Sequence, residues 1–219
     1  VKMSREEIMH RLRGKKGTQV KLGVVRRGIS GVLTFNVIRD KIPLKTIDAF
    51  YMIRPKVGYI RIGSFGATTY DEFKSAINTL QQRGMEDLIL DLQDNGGGFL
   101  NAAAQISNEF LQSGDLIVYM QGRAVPREEY RARGNGRLLK GKVVVLINEF
   151  SASAAEIVTG ALQDQDRAII VGRRSFGKGL VQRSIDFPDG SMIRLTIAHY
   201  YTPSGRCIQK PYKKGDKKD

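Results

Sequence analysis

Hydrophobic and polar positions follow two periods along this chain, and the switches between them mark out the elements. A period of two, or a short unbroken apolar run, predicts strands at Gln19 to Arg26, Gly31 to Arg39, Val57 to Ile62, Leu88 to Leu92, Leu116 to Met120, Val143 to Ile147 and Ala168 to Val171. Leu180 to Phe187 and Met192 to Tyr201 flank Pro188-Asp189-Gly190, a turn signal that makes them a hairpin. Helical spacing follows Ser4, follows Thr69, runs from about Leu100 to Leu111, and runs from Ser153 to about Gln165. Glu7, Glu72 and Glu156 each sit three residues after a serine or threonine, the capping-box pattern that starts a helix. Gly14, Gly84 and Gly114 stop three of the four helices. Ile42 to Ile53 reads as a connecting strand, with Pro43 favouring a sheet edge. The strand–helix–strand alternation from Val57 to Val171 argues for an α/β core.

Composition narrows the class. The 219 residues suffice for one good core and a small appendage, and 41% hydrophobic with 26% charged residues describes a globular chain. No apolar run approaches a membrane span, and nothing at Val1 resembles a signal peptide. The chain opens directly into helix-like sequence, so it reads as an excised fragment. Cys207 stands alone, which excludes an intrachain disulfide, and with only His10 and His199 no histidine-based metal site is expected. The net charge of +14 attracts polyanions and anionic surfaces nonspecifically. Its concentrated parts, Arg123 to Lys140 and Lys213 to Asp219, lack the interleaved aromatics of a single-strand binding groove and read as solvated loops, with no specific nucleic-acid partner. Gly122 to Lys140 reads as a mobile polar segment placed to shape access to a site.

The chemistry concentrates between Asn148 and Gln182. Ser153 falls at a strand-to-helix turn, where unpaired N–H groups and the positive end of the helix dipole favour developing negative charge. Lys178 follows between two glycines, with no carboxylate among its immediate neighbours to hold it protonated, and Gln182 is spaced to orient the amine. A lysine takes a serine proton only when desolvation makes it neutral. Two plainer readings stay open: Ser153 as a helix cap with Glu156, and Lys178 as a solvated loop residue. GRRSFGKG at Gly172 to Gly179 misses the phosphate-binding loop by its last residue and is followed by a strand pattern, so no helix N-terminus is there to cradle phosphate.

Six segments together resemble the C-terminal processing (tail-specific) serine peptidases: RGKKGT at Arg13 to Thr18, GYIRIGSF at Gly58 to Phe65, DLQDNGGG at Asp91 to Gly98, SASAAEI at Ser151 to Ile157, FGKGLVQ at Phe176 to Gln182 and YYTPSGRCIQ at Tyr200 to Gln209. The resemblance implies a ClpP/crotonase-like α/β core over residues 41–219. It also implies that residues 1–40 are the second half of a PDZ domain, without the strand and loop that would hold a peptide tail. It makes Ser153 the nucleophile, Lys178 the general base, Gln182 the residue that positions the lysine, and Glu156 a supporting acid. The oxyanion donors would be the N–H groups of Ala154 and Gly97, and Ser151 a neighbour of the nucleophile. No cofactor is implied. Substrates would be protein or peptide C-termini, the location extracytoplasmic, in a bacterial periplasm or cell envelope, with self-assembly open. Ala155 and Gln93 depart from the family pattern, where serine and arginine are common. The alternative reading is a noncatalytic peptide-binding or assembly module on a protease-like core.

Overall fold

The computed structural model describes residues 3–40 and 45–211, and the chain divides into two compact units, Val1–Leu44 and Lys45–Asp219. The first contains α1 (Arg5–Leu12), β1 (Gln19–Val24) and β2 (Leu33–Ile38), the two strands antiparallel with Gln19 opposite Ile38. The capping box forms as its spacing predicts: Ser4 Oγ accepts from the Glu7 N–H at 3.2 Å, and Glu7 takes the Ser4 N–H at 3.0 Å. Because α1 buries none of its residues, its other end needs a tether. Arg39 supplies it, donating to the carbonyls of Arg11 at 2.9 Å and Leu12 at 2.8 Å, and to Thr18 Oγ1 at 3.0 Å. A cation there satisfies orphan carbonyls and opposes the helix dipole.

The second unit runs β3 (Ile47–Arg54), β4 (Val57–Ile62), α2 (Thr69–Gln82), β5 (Asp87–Asp91), α3 (Leu100–Asn108), β6 (Leu116–Gln121), β7 (Glu128–Arg131), β8 (Val143–Ile147), α4 (Ala154–Asp164), β9 (Ile169–Gly172), β10 (Leu180–Asp186) and β11 (Met192–Tyr201). Five strands form a mixed sheet ordered β3-β4-β5-β8-β9, in which β3 is an antiparallel edge and the other four are parallel. A second, antiparallel sheet is ordered β10-β11-β6-β7. Alternate residues of the first sheet, Ile60, Ile62, Leu90 and Val145, are fully buried in one core with Phe73, Ile77 and Leu80 of α2, Ile106 of α3 and Leu162 of α4. Each such side chain contributes roughly 1.5–3 kcal/mol by leaving water. The result is an α/β fold. No helix among the described residues is long and apolar enough to cross a membrane. Ile42 and Pro43 lie outside the described residues.

Three expectations are corrected. The segment read as mobile carries β7, pinned against β6, with Ala132 and Leu138 buried. Its sequence, EEYR, has no apolar alternation; Arg127 and Arg131 both pair with Glu129, and the ladder supplies the rest. Next, α3 stops at Asn108 instead of Leu111, because buried Glu109 accepts from Tyr70 Oη at 2.7 Å and from the Arg137 N–H at 2.8 Å. Burial, then that hydrogen bond, pushes Tyr70 up to about 12. Finally, Thr69 does not cap α2 with Glu72. Thr69 Oγ1 accepts from the Gly66 N–H at 2.7 Å, while Glu72 accepts from Thr68 Oγ1 at 2.7 Å and from the amides of Thr46 at 2.9 Å and Ile47 at 3.1 Å.

Glu72 therefore ties α2 to the start of β3. Burial acts to raise its carboxyl, but the donors from Thr68, Thr46 and Ile47 outweigh it and leave the group below its ordinary value of 4.5. A lowered carboxyl contributes stability in full above 4.5, and that contribution is lost as pH falls through the folded-state value. Replacing Glu72 by Gln should lower stability by on the order of 1 kcal/mol at pH 7. The difference from the parent, measured by denaturant titration, should shrink as the pH is taken below 4.5.

Candidate active site

The carboxyl ends of β5, β8 and β9 lie along one edge of the parallel sheet, and the three loops leaving them carry the candidate residues. Loops at this edge of an open α/β sheet are where ligand sites form. Here they are bonded to one another. From the loop after β8, Ser151 is fully buried and its Oγ donates to the Leu92 carbonyl at 2.7 Å, while the Ala152 N–H donates to the Asn95 carbonyl at 2.9 Å. Asn148 exchanges two bonds with Asp94, at 2.7 and 3.0 Å. The Phe176 N–H, from the loop after β9, donates to the Ser151 carbonyl at 3.0 Å. Ser151 is thus committed to structure, and its hydroxyl is not available for attack.

Ser153 stands at the N-terminus of α4 with φ 55° and ψ −113°. A side chain at positive φ costs of order 1–3 kcal/mol, and such strain persists only where the surroundings impose it. Glu156 imposes it. One of its oxygens, Oε2, accepts from the Ser153 N–H at 2.8 Å and from the Lys178 N–H at 2.8 Å. The other, Oε1, accepts from Ser175 Oγ at 2.7 Å and the Gly177 N–H at 2.7 Å. The carboxylate is 6% exposed and meets four donors, which compensates a buried charge. Two 2.8 Å bonds to a single oxygen place the backbone nitrogens of Ser153 and Lys178 within 5.6 Å of each other, although 25 residues separate them in sequence.

The glycine turn completes the floor. Asn95, fully buried, donates through Nδ2 to the Ile62 carbonyl at 2.8 Å and accepts the Gly97 N–H on Oδ1 at 2.8 Å. Gly97 has φ 94°, and a Cβ built on it would come 2.6 Å from Ser153 Cβ and 2.9 Å from the Ala154 nitrogen. Only glycine allows that approach. Behind the turn, buried Asp91 accepts from Tyr59 Oη at 2.5 Å and from the Gln93 N–H at 2.8 Å; burial, then that bond, pushes Tyr59 up to about 12. Gln93 supports the turn through its backbone, and Arg61 pairs with Asp94 at 3.3 Å.

The expected residues are brought together at the level of the backbone and less so at their side-chain tips. Ser153, Ala154, Glu156, Gly97 and Lys178 share one locus, and the Ala154 N–H, first in its helix, makes no hydrogen bond among the described residues. The Lys178 side chain is exposed, and its amine has no hydrogen bond or ion pair among the described residues. Gln182 is exposed as well; it lies on β10 beside a bulge where Val181 pairs Ala198 and Gln182 pairs Thr196, leaving Ile197 unpaired. The Gly97 N–H, expected to face an oxyanion, is instead engaged by Asn95. His199 lies on β11, paired with Leu180 on one side and Gln121 on the other, and makes no side-chain hydrogen bond or ion pair among the described residues. No cluster of three or more His, Cys, Asp or Glu among the described residues could hold a metal ion. Sequence reasoning missed Asn95, Asn148 and Ser175. Asn95 carried a signal, as the polar residue opening a triple-glycine turn; the roles of the other two depend on partners far away in sequence.

The chain is similar to proteins already known. The carboxyl-terminal-processing protease of Picosynechococcus sp. is 41% identical over 207 residues, which is 94% of this chain and 50% of that protein. The carboxy-terminal processing protease CtpA of Bacillus subtilis is 37% identical over 208 residues, 95% of this chain and 44% of that protein. Among solved structures, a photosystem II D1 C-terminal processing protease superposes with a TM-score of 0.70 at 31% identity, covering 90% of this chain and 54% of the other. The chain therefore spans about half the length of the relatives it matches. The family model of Peptidase family S41 matches residues 56–217, a range containing every candidate residue, and the chain belongs to that family.

Proposed function

We propose that this chain is the catalytic core of a serine peptidase that cleaves protein substrates near their C-termini, working through Ser153 and Lys178. The observation that carries this reading is the single Glu156 oxygen shared by the Ser153 and Lys178 amides, which fixes a strained serine and a lysine side by side. Ser153 Oγ attacks the scissile carbonyl and passes its proton to the Lys178 amine; the ammonium then protonates the leaving amine, and water repeats the sequence on the acyl-enzyme. The negative oxygen of each tetrahedral intermediate takes the free Ala154 N–H, with Gly97 the proposed second donor. Gln182 holds the lysine once it engages.

Two features of the structure set conditions on this scheme. A lysine acts as base only where water is kept from its amine. With Lys178 exposed, the bound substrate has to cover it and bring it to Ser153. For Gly97 to serve, its N–H must turn from Asn95 toward the oxyanion. The same features favour a second reading, a peptide-binding or assembly module with a protease-like core whose dyad stays unassembled. By family analogy we further propose a ClpP/crotonase-like core, an extracytoplasmic location in the cell envelope, and a PDZ remnant in the first unit, where a helix precedes a two-stranded ladder.

Hydrolysis of an apolar-tailed peptide separates the readings. The parent should turn it over, and Ser153→Ala and Lys178→Ala should each lower kcat by about a hundredfold or more; equal rates in parent and Lys178→Ala would remove the proposed base. Glu156→Gln keeps the shape but leaves an NH2 facing N–H donors. It should cost on the order of 2 kcal/mol of stability and lower kcat by at least tenfold with a smaller change in KM; an unchanged melting curve and kcat would show that the shared carboxylate is dispensable. Gly97→Ala combines positive φ with contacts under 3 Å to Ser153 and Ala154. Loss of activity with a stability decrease of about 1–3 kcal/mol is expected from thermal melts and rate assays.

A further inference from the structure

The loop after β9, GRRSFGKG at Gly172 to Gly179, departs from the phosphate-binding loop at its last residue, and β10 follows it, so no helix N-terminus is there for a nucleotide. The same loop nevertheless walls a cavity of about 250 Å³ whose lining includes neither Ser153 nor Lys178. Arg174 comes from the loop, Arg206, Cys207 and Lys210 from the segment after β11, and Thr159 and Gln163 from α4. Charge decides what such a cavity takes. Arg206 is already answered, since it pairs with Asp164 and donates to Gln163 Oε1 at 3.1 Å. Glu156, also in the lining, is matched by its four donors. Arg174 and Lys210 are left: both are exposed, and neither side chain has an ion pair or hydrogen bond among the described residues. The N–H groups of Arg174 and Ser175, two in succession, also lack a partner among the described residues.

Two cations that share one small cavity repel each other, and free backbone N–H groups beside them add to the positive potential; an anion relieves both. A phosphate group suits the set best, because its several oxygens can meet the planar fork of an arginine, the point charge of a lysine and a backbone donor together. The segment that carries Lys210 is also tied to the loop on either side of Lys178. The Lys210 N–H donates to the Gly177 carbonyl at 2.9 Å, and the Gly179 N–H donates to Gln209 Oε1 at 3.0 Å. A Cβ built on Gly177, which has φ 88°, would come 2.7 Å from Lys210 Cβ, so loop and segment are in close contact. We infer that this cavity is a phosphate-binding site, and that a phosphate held between Arg174 and Lys210 braces the loop that carries Lys178. Phosphate binds there whether or not Lys178 acts as a base.

The test titrates inorganic phosphate into the 219-residue chain by calorimetry at low ionic strength, where screening is weakest. One saturable site with a Kd of about a millimolar or tighter is expected. Arg174→Gln and Lys210→Gln should each weaken binding by about tenfold, since each removes a charge-assisted contact. Both residues are exposed, so neither change threatens the fold. Arg173→Gln is the control: Arg173 adjoins Arg174 in sequence but pairs with Glu149 and does not line the cavity, so affinity should stay within about twofold of the parent. Equal losses from Arg173→Gln and Arg174→Gln would mean that phosphate reads only the diffuse +14 charge, and the site would be refuted, as it would by binding that never saturates. Glycerol phosphate tells the sources apart: binding as tight as inorganic phosphate supports a site for phosphate esters, and binding of inorganic phosphate alone supports a site for the free ion. In hydrogen–deuterium exchange, bound phosphate should slow the amides of Gly179 and Lys210 in the parent and not in Lys210→Gln. Saturable binding that leaves those amides unchanged would overturn the bracing.

Discussion

One buried carboxylate holds this site together. Glu156 begins as a residue of the first turn of α4, where a negative charge is favoured by the helix dipole, and from there reaches four donors on two separate loops. Its position answers two requirements at once. The charge needs donors because it is out of water, and the strained Ser153 backbone needs a partner that makes its unusual angles the lowest-energy choice. Satisfying both brings the lysine-bearing loop to Ser153 as a by-product of folding. The backbones of Ser153 and Lys178 are thus held in place, while the lysine side chain is left exposed.

The rest of the second unit supports that arrangement. Four parallel strands align three loops at one edge, Asn95 and Ser151 lock the glycine turn to the turn that carries Ser153, and hydrogen bonds through Phe65 join Gly97 to Phe99. Lys178, Gln182, Phe99, Phe150 and Phe176 are exposed in this region. Rigid backbone and unengaged tips fit a site completed by what it binds, since closing over a substrate expels the water that weakens both the base and the oxyanion contacts.

Much of the fold could be read from hydrophobic periodicity alone. Val57–Ile62 and Val143–Ile147 lie where their apolar patterns place them, because burial on a sheet is what writes those patterns, and Met192–Tyr201 follows its alternation although its first five residues are exposed. The elements that escaped are those whose stability comes from elsewhere: β7 is held by its ladder with β6 and by ion pairs along its own length, and the C-terminus of α3 is set by Glu109, whose partners are 28 and 39 residues away. At the site, the family resemblance singled out Ser153 and Lys178, while spacing gave Glu156 the modest role of a helix cap. Its bonds to Ser175, Gly177 and Lys178 span 19 to 22 residues and leave no periodic trace. Nor could sequence show that Asn95 occupies the Gly97 N–H or that the Lys178 amine stands in solvent.

The central claim is that Ser153 is a nucleophile activated by the lysine its neighbour holds in place. It is tested most directly by reacting the chain with a peptidyl phosphonate bearing an apolar side chain and mapping the covalent adduct by mass spectrometry over time. The account predicts a single adduct on Ser153, formed about a hundredfold more slowly when Lys178 is replaced by Ala. An adduct on another residue, or one on Ser153 at a rate indifferent to Lys178, would contradict it.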